Sequence, residues 1–161
     1  MKVLFEKIED LSKENVEFYS IKLGEDILFE FEKFEENDFP KHLEELQIIY
    51  NVIDQMRYRG AKSYFVKPEG PANALPRVTQ EIIEANKEDL GLRLYCIRLT
   101  DNVVVLLNGG IKTNIAPTDC PNVKEHFKNA VKIARKLDKD LLNKEINFQE
   151  FNCLEHYEIE I

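Results

Sequence analysis

The sequence lacks several features that assign proteins to common classes. It has no tryptophan, and its three cysteines show no CxxC spacing, so neither a zinc site nor a disulfide framework is expected and a reducing, cytoplasmic location is favoured. Met1–Ile8 lacks the apolar core of a signal peptide, and no apolar run approaches the ~20 residues of a membrane span. Neither a GxGxxG pattern nor a Walker lysine is present, so no nucleotide cofactor is expected.

Basic residues are scarce outside the middle of the chain. The 161 residues carry a net charge of −8 and are 43% hydrophobic, which is enough for a single domain with a core. Met1–Gly60 has 8 basic and 15 acidic residues, Ala61–Lys144 has 14 and 10, and Glu145–Ile161 has none and 5. The acidic balance argues against nucleic-acid binding, whereas the basic middle segment keeps it open.

Hydrophobic periodicity predicts an α+β domain, in which a helical hairpin and a C-terminal helix pack on an antiparallel sheet. The expected helices have apolar side chains at helical spacing: Glu25–Asn37, Lys41–Arg59 and a segment running from Val123 to Leu141. The first of them also alternates at Ile27 and Phe29, so a strand is an alternative there. Asp38 is expected to cap the second helix, and Thr118 or Asp119 the third.

The expected strands are rich in β-branched and aromatic residues: Val16–Leu23, Leu92–Leu99, Val103–Leu107 and an acidic edge strand within Phe151–Ile161. Asp101-Asn102 fits a hairpin turn, and Gly109-Gly110 predicts a bulge or bend before a third strand at Ile111–Thr113. Residues 67–76, with three prolines, are expected to be a loop or a sheet edge, and Thr79–Asn86 a short helical turn.

Three cations in Gly91–Thr113 point to a site for an anionic ligand, because an ordinary buried hairpin has little use for Arg93, Arg98 and Lys112. Alternation along a regular strand places Arg93 and Arg98 on opposite faces, so the two arginines are not expected to line one site. The structural alternative is that each arginine ends a strand in solvent or pairs with an acid.

The element order and the segment Arg93–Thr113 resemble the RelE/HigB-like toxin superfamily, small bacterial toxins of type II toxin–antitoxin systems. The family pattern is a helical hairpin, a strand with an arginine, a turn, a hydrophobic strand and a C-terminal helix, and here LRLYCIRL and VVVLLNGGIKT match it. The chain is similar in particular to a Bacteroidetes-type, phage-associated group. The resemblance covers residues 16–143, with residues 1–15 and 145–161 as acidic extensions.

What the resemblance implies is a cytoplasmic mRNA endonuclease that acts on the ribosome and is held inactive by an antitoxin protein. No metal or cofactor and no membrane are implied, and the oligomeric state is left open. By position in the motif, Arg93 is the candidate that stabilises the scissile phosphate, where a guanidinium offers planar, permanently charged donors. His126 is the candidate acid or base.

The candidate RNA contacts are Arg98, Lys112, Lys124 and Lys128. The lysines at 124, 128, 132 and 136 recur every four residues, which fits a solvated helix face as well as a surface that follows phosphates. His126 likewise fits a plain helix-surface residue. The alternative function is a non-catalytic protein-binding module on the same scaffold, in which an acidic edge strand accepts a partner.

Overall fold

A computed structural model describes residues 1–77 and 90–161, and within these ranges the chain has an α+β fold, as predicted. The described strands are β1 (Lys2–Lys7), β2 (Glu17–Leu23), β3 (Lys67–Glu69), β4 (Ala72–Leu75), β5 (Gly91–Thr100), β6 (Val103–Lys112) and β7 (Glu158–Glu160). The described helices are α1 (Glu30–Glu36), α2 (Leu43–Arg59) and α3 (Lys124–Leu142), with short 3-10 turns at Ser63–Phe65 and Pro117–Asp119. None of these helices is long and apolar enough to cross a membrane.

One sheet joins all the described strands, in the order β3-β4-β5-β6-β2-β1-β7. Neighbouring strands are antiparallel except at the centre, where β2 runs parallel to β6 and Glu17–Tyr19 lie opposite Val103–Val105. The predicted antiparallel sheet is therefore mixed at one pair. Parallel neighbours need a long crossover connection, and the chain between β2 and β6 supplies it with α1, α2 and β3–β5.

The sheet is covered on both faces, and each face has its own core. On β5, Leu92, Leu94 and Cys96 pack in a cluster with residues of α1 and α2. Tyr95 and Ile97, which alternate with them, pack in a cluster with residues of α3. Successive side chains of a strand point to opposite faces, so Arg93 lies on the α3 face and Arg98 on the α1–α2 face. The predicted separation of the two arginines is confirmed.

Both acidic terminal segments contribute a strand to the sheet. Val3 and Phe5 of β1 are fully buried, and β1 pairs with β2 on one side and β7 on the other. The predicted acidic edge strand is present but short, because only Glu158–Glu160 pair with β1.

The helical hairpin is shorter at its first helix than predicted. Helix α1 begins at Glu30, since Phe29 is extended at φ −70° and ψ 153° and the Ser20 hydroxyl accepts a hydrogen bond from the Phe31 amide at 3.1 Å. Asp38 does not cap α2, because it lies in the turn between the helices at φ 55°. His42 and Val123 stand at the starts of α2 and α3 without side-chain caps, so the predicted caps at Thr118 and Asp119 are also wrong.

Three further sequence predictions have different outcomes. Residues 67–76 form the hairpin β3–β4 at the edge of the sheet, so the predicted sheet edge is confirmed. The predicted helical turn at Thr79–Asn86 lies outside the described residues. Ile111 does not open a third strand, because β6 continues through the two glycines and Ile111 still pairs with Leu92.

Candidate functional site

Arg93 and Lys112 lie on the same face of the central hairpin, and both are buried. Arg93 is opposite Gly110 in the β5–β6 ladder, and Lys112 is opposite Gly91, so both side chains are on the α3 side. Each residue is 2% exposed. The Arg93 guanidinium donates through Nη1 to the Leu92 carbonyl oxygen at 2.8 Å. The structure therefore brings these two predicted residues together, but it does not present them to solvent.

Arg98, a predicted RNA contact, is engaged by groups of its own chain. Its Nε donates to the Ala61 carbonyl oxygen at 2.6 Å, and its Nη2 pairs with the Asp101 carboxylate. The hydrogen bonds from Lys62 and Arg98 lower the pKa of Asp101, which lies in the β5–β6 turn. Arg98 therefore fixes the turn of the hairpin to the segment that follows α2, and the paired-acid alternative is the one that the structure shows.

The lysines of α3 lie away from the sheet. Lys128 is exposed and Lys124 is half-buried, whereas Ala130 and Leu137 on the opposite side of the helix are fully buried. His126, two residues from both lysines, lies about 160° away around a helix with 3.6 residues per turn. The lysines and the histidine therefore do not converge on one site, and Lys124 and Lys128 belong to a solvated face.

A bulge in β6 shapes the centre of the sheet beside Arg93. Leu94 lies opposite Gly109 and Cys96 lies opposite Leu106, so β6 carries one residue more than β5 in this stretch. A Cβ on Gly109 would lie 1.8 Å from the Arg93 carbonyl oxygen, and one on Gly110 would lie 2.8 Å from that of Asn122. The glycines are therefore required for close packing, and the predicted bulge is present but lies just before Gly109, between Leu106 and Gly109.

Next to the bulge, polar side chains from α1, β6, α3 and the segment before α1 form what is called here the Glu30 cluster: Asp26, Glu30, Lys33, Asn108 and His126. Glu30 is 5% exposed, and its Oε1 accepts a hydrogen bond from Lys33 Nζ at 2.5 Å. Its Oε2 accepts a longer hydrogen bond, 3.3 Å, from the Asn108 amide. Lys33 also donates to Asp26 at 2.5 Å. One ammonium thus pairs with two carboxylates, one of them buried.

Ser20 explains why α1 begins beside the bulge. The β2–β6 ladder ends at Tyr19 and Val105. The next residue of β2, Ser20, donates its hydroxyl to the Leu106 carbonyl oxygen at 2.8 Å and accepts the Phe31 amide at 3.1 Å. This side chain therefore ties the first turn of α1 to the point where the two strands stop pairing, which brings Glu30 to Asn108.

His126 is the member of the Glu30 cluster that α3 contributes. The pKa of His126 is lowered, mainly because the side chain is partly buried. The charges of Glu30 and Glu125 act to raise this pKa, and the charge of Lys33 acts to lower it, but the net shift is downward. The imidazole is therefore neutral at pH 7, with one ring nitrogen able to accept a proton. A neutral imidazole within electrostatic range of a buried carboxylate and an ammonium is a combination that general acid–base chemistry uses.

A second buried ion pair, the Lys7 cluster (Lys7, Glu17, Tyr19, Phe151 and Asn152), lies elsewhere in the fold. The Lys7 ammonium is 3.5 Å from Glu17 Oε2, 2.9 Å from Asn152 Oδ1 and 4.5 Å from the centre of the Phe151 ring. Glu17 accepts the Tyr19 hydroxyl at 2.8 Å and the Asn152 amide at 2.9 Å, and burial followed by this hydroxyl bond raises the pKa of Tyr19. The cluster borders a cavity of about 710 Å³ and ties the C-terminal segment to β1 and β2.

Sequence reasoning missed Glu30, Lys33 and Asn108. Glu30 stands in an acidic stretch, but it lies four residues before the fully buried Phe34 on one helix face. That spacing was the available signal. Asn108 gave none, because its position depends on the phase of the bulge. Among the described residues, no group of three His, Cys, Asp or Glu side chains could hold a metal ion.

Comparison with known proteins assigns no family to the chain. No protein-family model matches the sequence, and no curated protein or solved structure matches the chain. The functional reading therefore depends on the Glu30 cluster and on the cations around the β6 bulge.

Proposed function

We propose that the chain is a toxin-like RNA endonuclease of a type II toxin–antitoxin system, similar to the RelE/HigB-like toxins, which cleaves mRNA and is held inactive by an antitoxin. The observation that carries the proposal is the half-buried His126, whose pKa is lowered and which lies within electrostatic range of the buried carboxylate of Glu30. The order of elements adds support, since the helical hairpin α1–α2 is followed by β5 with Arg93, a turn, β6 and α3.

The chemistry needs a base at the ribose 2′-hydroxyl and a proton for the departing 5′-oxygen. His126, neutral at pH 7, accepts the hydroxyl proton, the 2′-oxygen forms its bond to phosphorus, and the bond from phosphorus to the 5′-oxygen breaks. Lys33 is the cation of the cluster that donates to the phosphate or to the leaving oxygen, and Glu30 holds the Lys33 ammonium in place. The products are a 2′,3′-cyclic phosphate and a free 5′-hydroxyl.

His126→Gln tests this assignment, and His156→Gln is the matched control. The His156 side chain is 76% exposed and its charge partner is Glu155, which is not a member of the Glu30 cluster, so its loss removes a histidine without changing the site. We expect His126→Gln to lower the rate of RNA cleavage by a factor of about 10² to 10⁴. The control variant keeps the wild-type rate.

The measurement is mRNA decay and growth after induced expression of each variant, with mass spectrometry of the RNA ends produced by the purified chain. Cyclic phosphate ends that disappear with His126→Gln support the proposal. A wild-type chain that affects neither decay nor growth, or a His126→Gln variant with full activity, contradicts it. Arg93→Ala in the same assay tests whether the buried guanidinium contributes.

The burial of Arg93 and Lys112 favours a second candidate, a non-catalytic protein-binding module on the same scaffold. An arginine and a lysine that are each 2% exposed present little positive charge to RNA, and the remainder of the chain is acidic. A tagged chain that recovers a stoichiometric protein from its host, and that cleaves no RNA, would establish this function. Recovery of RNA cleavage without any protein would remove it.

A further inference from the structure

A groove runs along the outer side of α1, between that helix, the end of β1 and α2. It consists of two adjoining cavities of about 280 and 120 Å³, which share Ile8, Phe31 and Glu35 as lining residues. Its floor is apolar, since Leu11 and Tyr50 line the larger cavity together with Ile8 and Phe31. Floors of this kind hold the apolar side chains of a bound segment.

The rim of this acidic groove carries five carboxylates: Glu6, Asp10, Glu32, Glu35 and Asp54. The two cations at the rim are already engaged. Arg57 donates to the Leu11 and Asp10 carbonyl oxygens at 2.9 and 3.2 Å and pairs with Asp54 at 3.0 Å. Lys7 belongs to the Lys7 cluster.

Three rim carboxylates have no cation within the structure as described. Across residues 1–77 and 90–161, Glu6, Glu32 and Glu35 form no ion pair. Burial raises the pKa of Glu35, and the neighbouring Glu32 raises it further. Burial and repulsion from Glu32 therefore both disfavour the ionised form of Glu35 in the free protein. A cation placed between Glu32 and Glu35 would relieve the repulsion between the two carboxylates.

We propose that the acidic groove docks a cationic amphipathic segment of a partner protein, with apolar side chains on Ile8 and Phe31 and lysines or arginines against Glu32 and Glu35. Charge complementarity selects this occupant. RNA would meet a negative rim, and a second copy of the chain would add a net charge of −8 to it. Helix-in-groove recognition uses the same pairing of an apolar floor with a charged rim. The proposal does not depend on RNA cleavage.

The test uses a fluorescent synthetic peptide of leucine and lysine in an amphipathic helical order, titrated with the full chain and followed by fluorescence anisotropy. The double variant Glu32→Lys with Glu35→Lys should weaken binding by about tenfold or more, because two attractions become repulsions. Glu36→Lys is the matched control, since this exposed residue of the same helix does not line the groove. It should bind nearly as the wild type does.

The three rim and control positions are exposed, and circular dichroism of each variant confirms that it is folded. Amide shifts in an NMR titration should change at Ile8 and Phe31. Absence of peptide binding, equal binding of a peptide with the same residues in scrambled order, or equal losses in the double variant and Glu36→Lys would overturn the proposal. So would displacement of the peptide by an RNA oligonucleotide, or self-association that the double variant abolishes.

Discussion

Glu17 and Glu30 are both nearly buried carboxylates that face a lysine, with side chains 12% and 7% exposed. The Lys7 side chain at Glu17 is 8% exposed, and its ammonium contacts Asn152 and the Phe151 ring. The Lys33 side chain at Glu30 is 31% exposed, and Asp26 competes for its ammonium. The Lys7–Glu17 pair is enclosed by other side chains of the protein. The Lys33–Glu30 pair is accessible to solvent at the lysine.

This difference distinguishes a structural ion pair, Lys7–Glu17, from a candidate functional one, Lys33–Glu30. A buried carboxylate whose donors all come from the chain holds segments together and has no remaining capacity for a ligand. Glu30 has only a long contact to Asn108 besides its shared lysine, and an imidazole with a lowered pKa lies near it. Buried polar groups arranged in this incomplete way cost stability and are typical of functional sites.

The largest effect should come from Lys7→Met. This substitution leaves Glu17 buried without its cation, so we expect the free energy of unfolding to fall by about 4 kcal/mol. Lys2→Met is the control, because the Lys2 side chain is 58% exposed and its pair with Glu158 should be worth less than about 1 kcal/mol. Urea denaturation of both variants measures the difference. Equal losses would show that the Lys7 cluster is not a buried ion pair in solution.

Gly109→Ala should disturb the Glu30 cluster through its effect on β6. The added Cβ meets the Arg93 carbonyl oxygen at 1.8 Å, so β6 must shift and Asn108 must move with it, at a cost of about 3 kcal/mol. Gly70→Ala has nothing within 4 Å of the added Cβ and should lose only about 1 kcal/mol, because of its positive φ. Thermal unfolding compares the two variants. A Gly109→Ala chain as stable as Gly70→Ala would argue against the bulge.

Glu30→Gln should cost less stability than either change above, about 1 to 2 kcal/mol, since Lys33 keeps Asp26 as a partner and the amide preserves the shape of the side chain. The proposed cleavage activity should nevertheless fall strongly. Urea denaturation and the RNA assay together distinguish the two consequences. A variant that loses stability as Lys7→Met does, with its activity retained, would place Glu30 with the structural residues.

The smallest effect should be a pH dependence that His126 contributes. Its folded-state pKa lies below the ordinary value of 6.5, so the unfolded chain binds the proton more readily. The stability associated with this group is present above pH 6.5 and is lost as the pH falls through the folded-state pKa. His126→Gln should therefore lose less stability than the wild type between pH 7.5 and 5.5, by urea midpoints. Parallel curves would show that the imidazole is not shielded.

The sequence predicted most of the regular elements, because β5, β6, α2 and α3 each carry a strong period over ten or more residues. It did not predict β1, whose alternation is short and interrupted by charges, or the parallel pairing of β2 with β6, which no local pattern encodes. The candidate site was found only in part. His126 was singled out, but Glu30 lies far from it along the chain, and only the topology brings the two into one cluster.

The parallel pairing of β2 with β6 also has a consequence during synthesis. The hydrogen bond from Ser20 to Leu106 spans 86 positions of the sequence. At about 5–20 residues per second, a ribosome needs roughly 4 to 17 seconds to produce the second strand after the first. Throughout that interval Phe18, Tyr19 and Ile21, which are buried in the finished protein, have no central neighbour to pair with. The nascent chain is therefore a natural client for chaperones until β6 emerges.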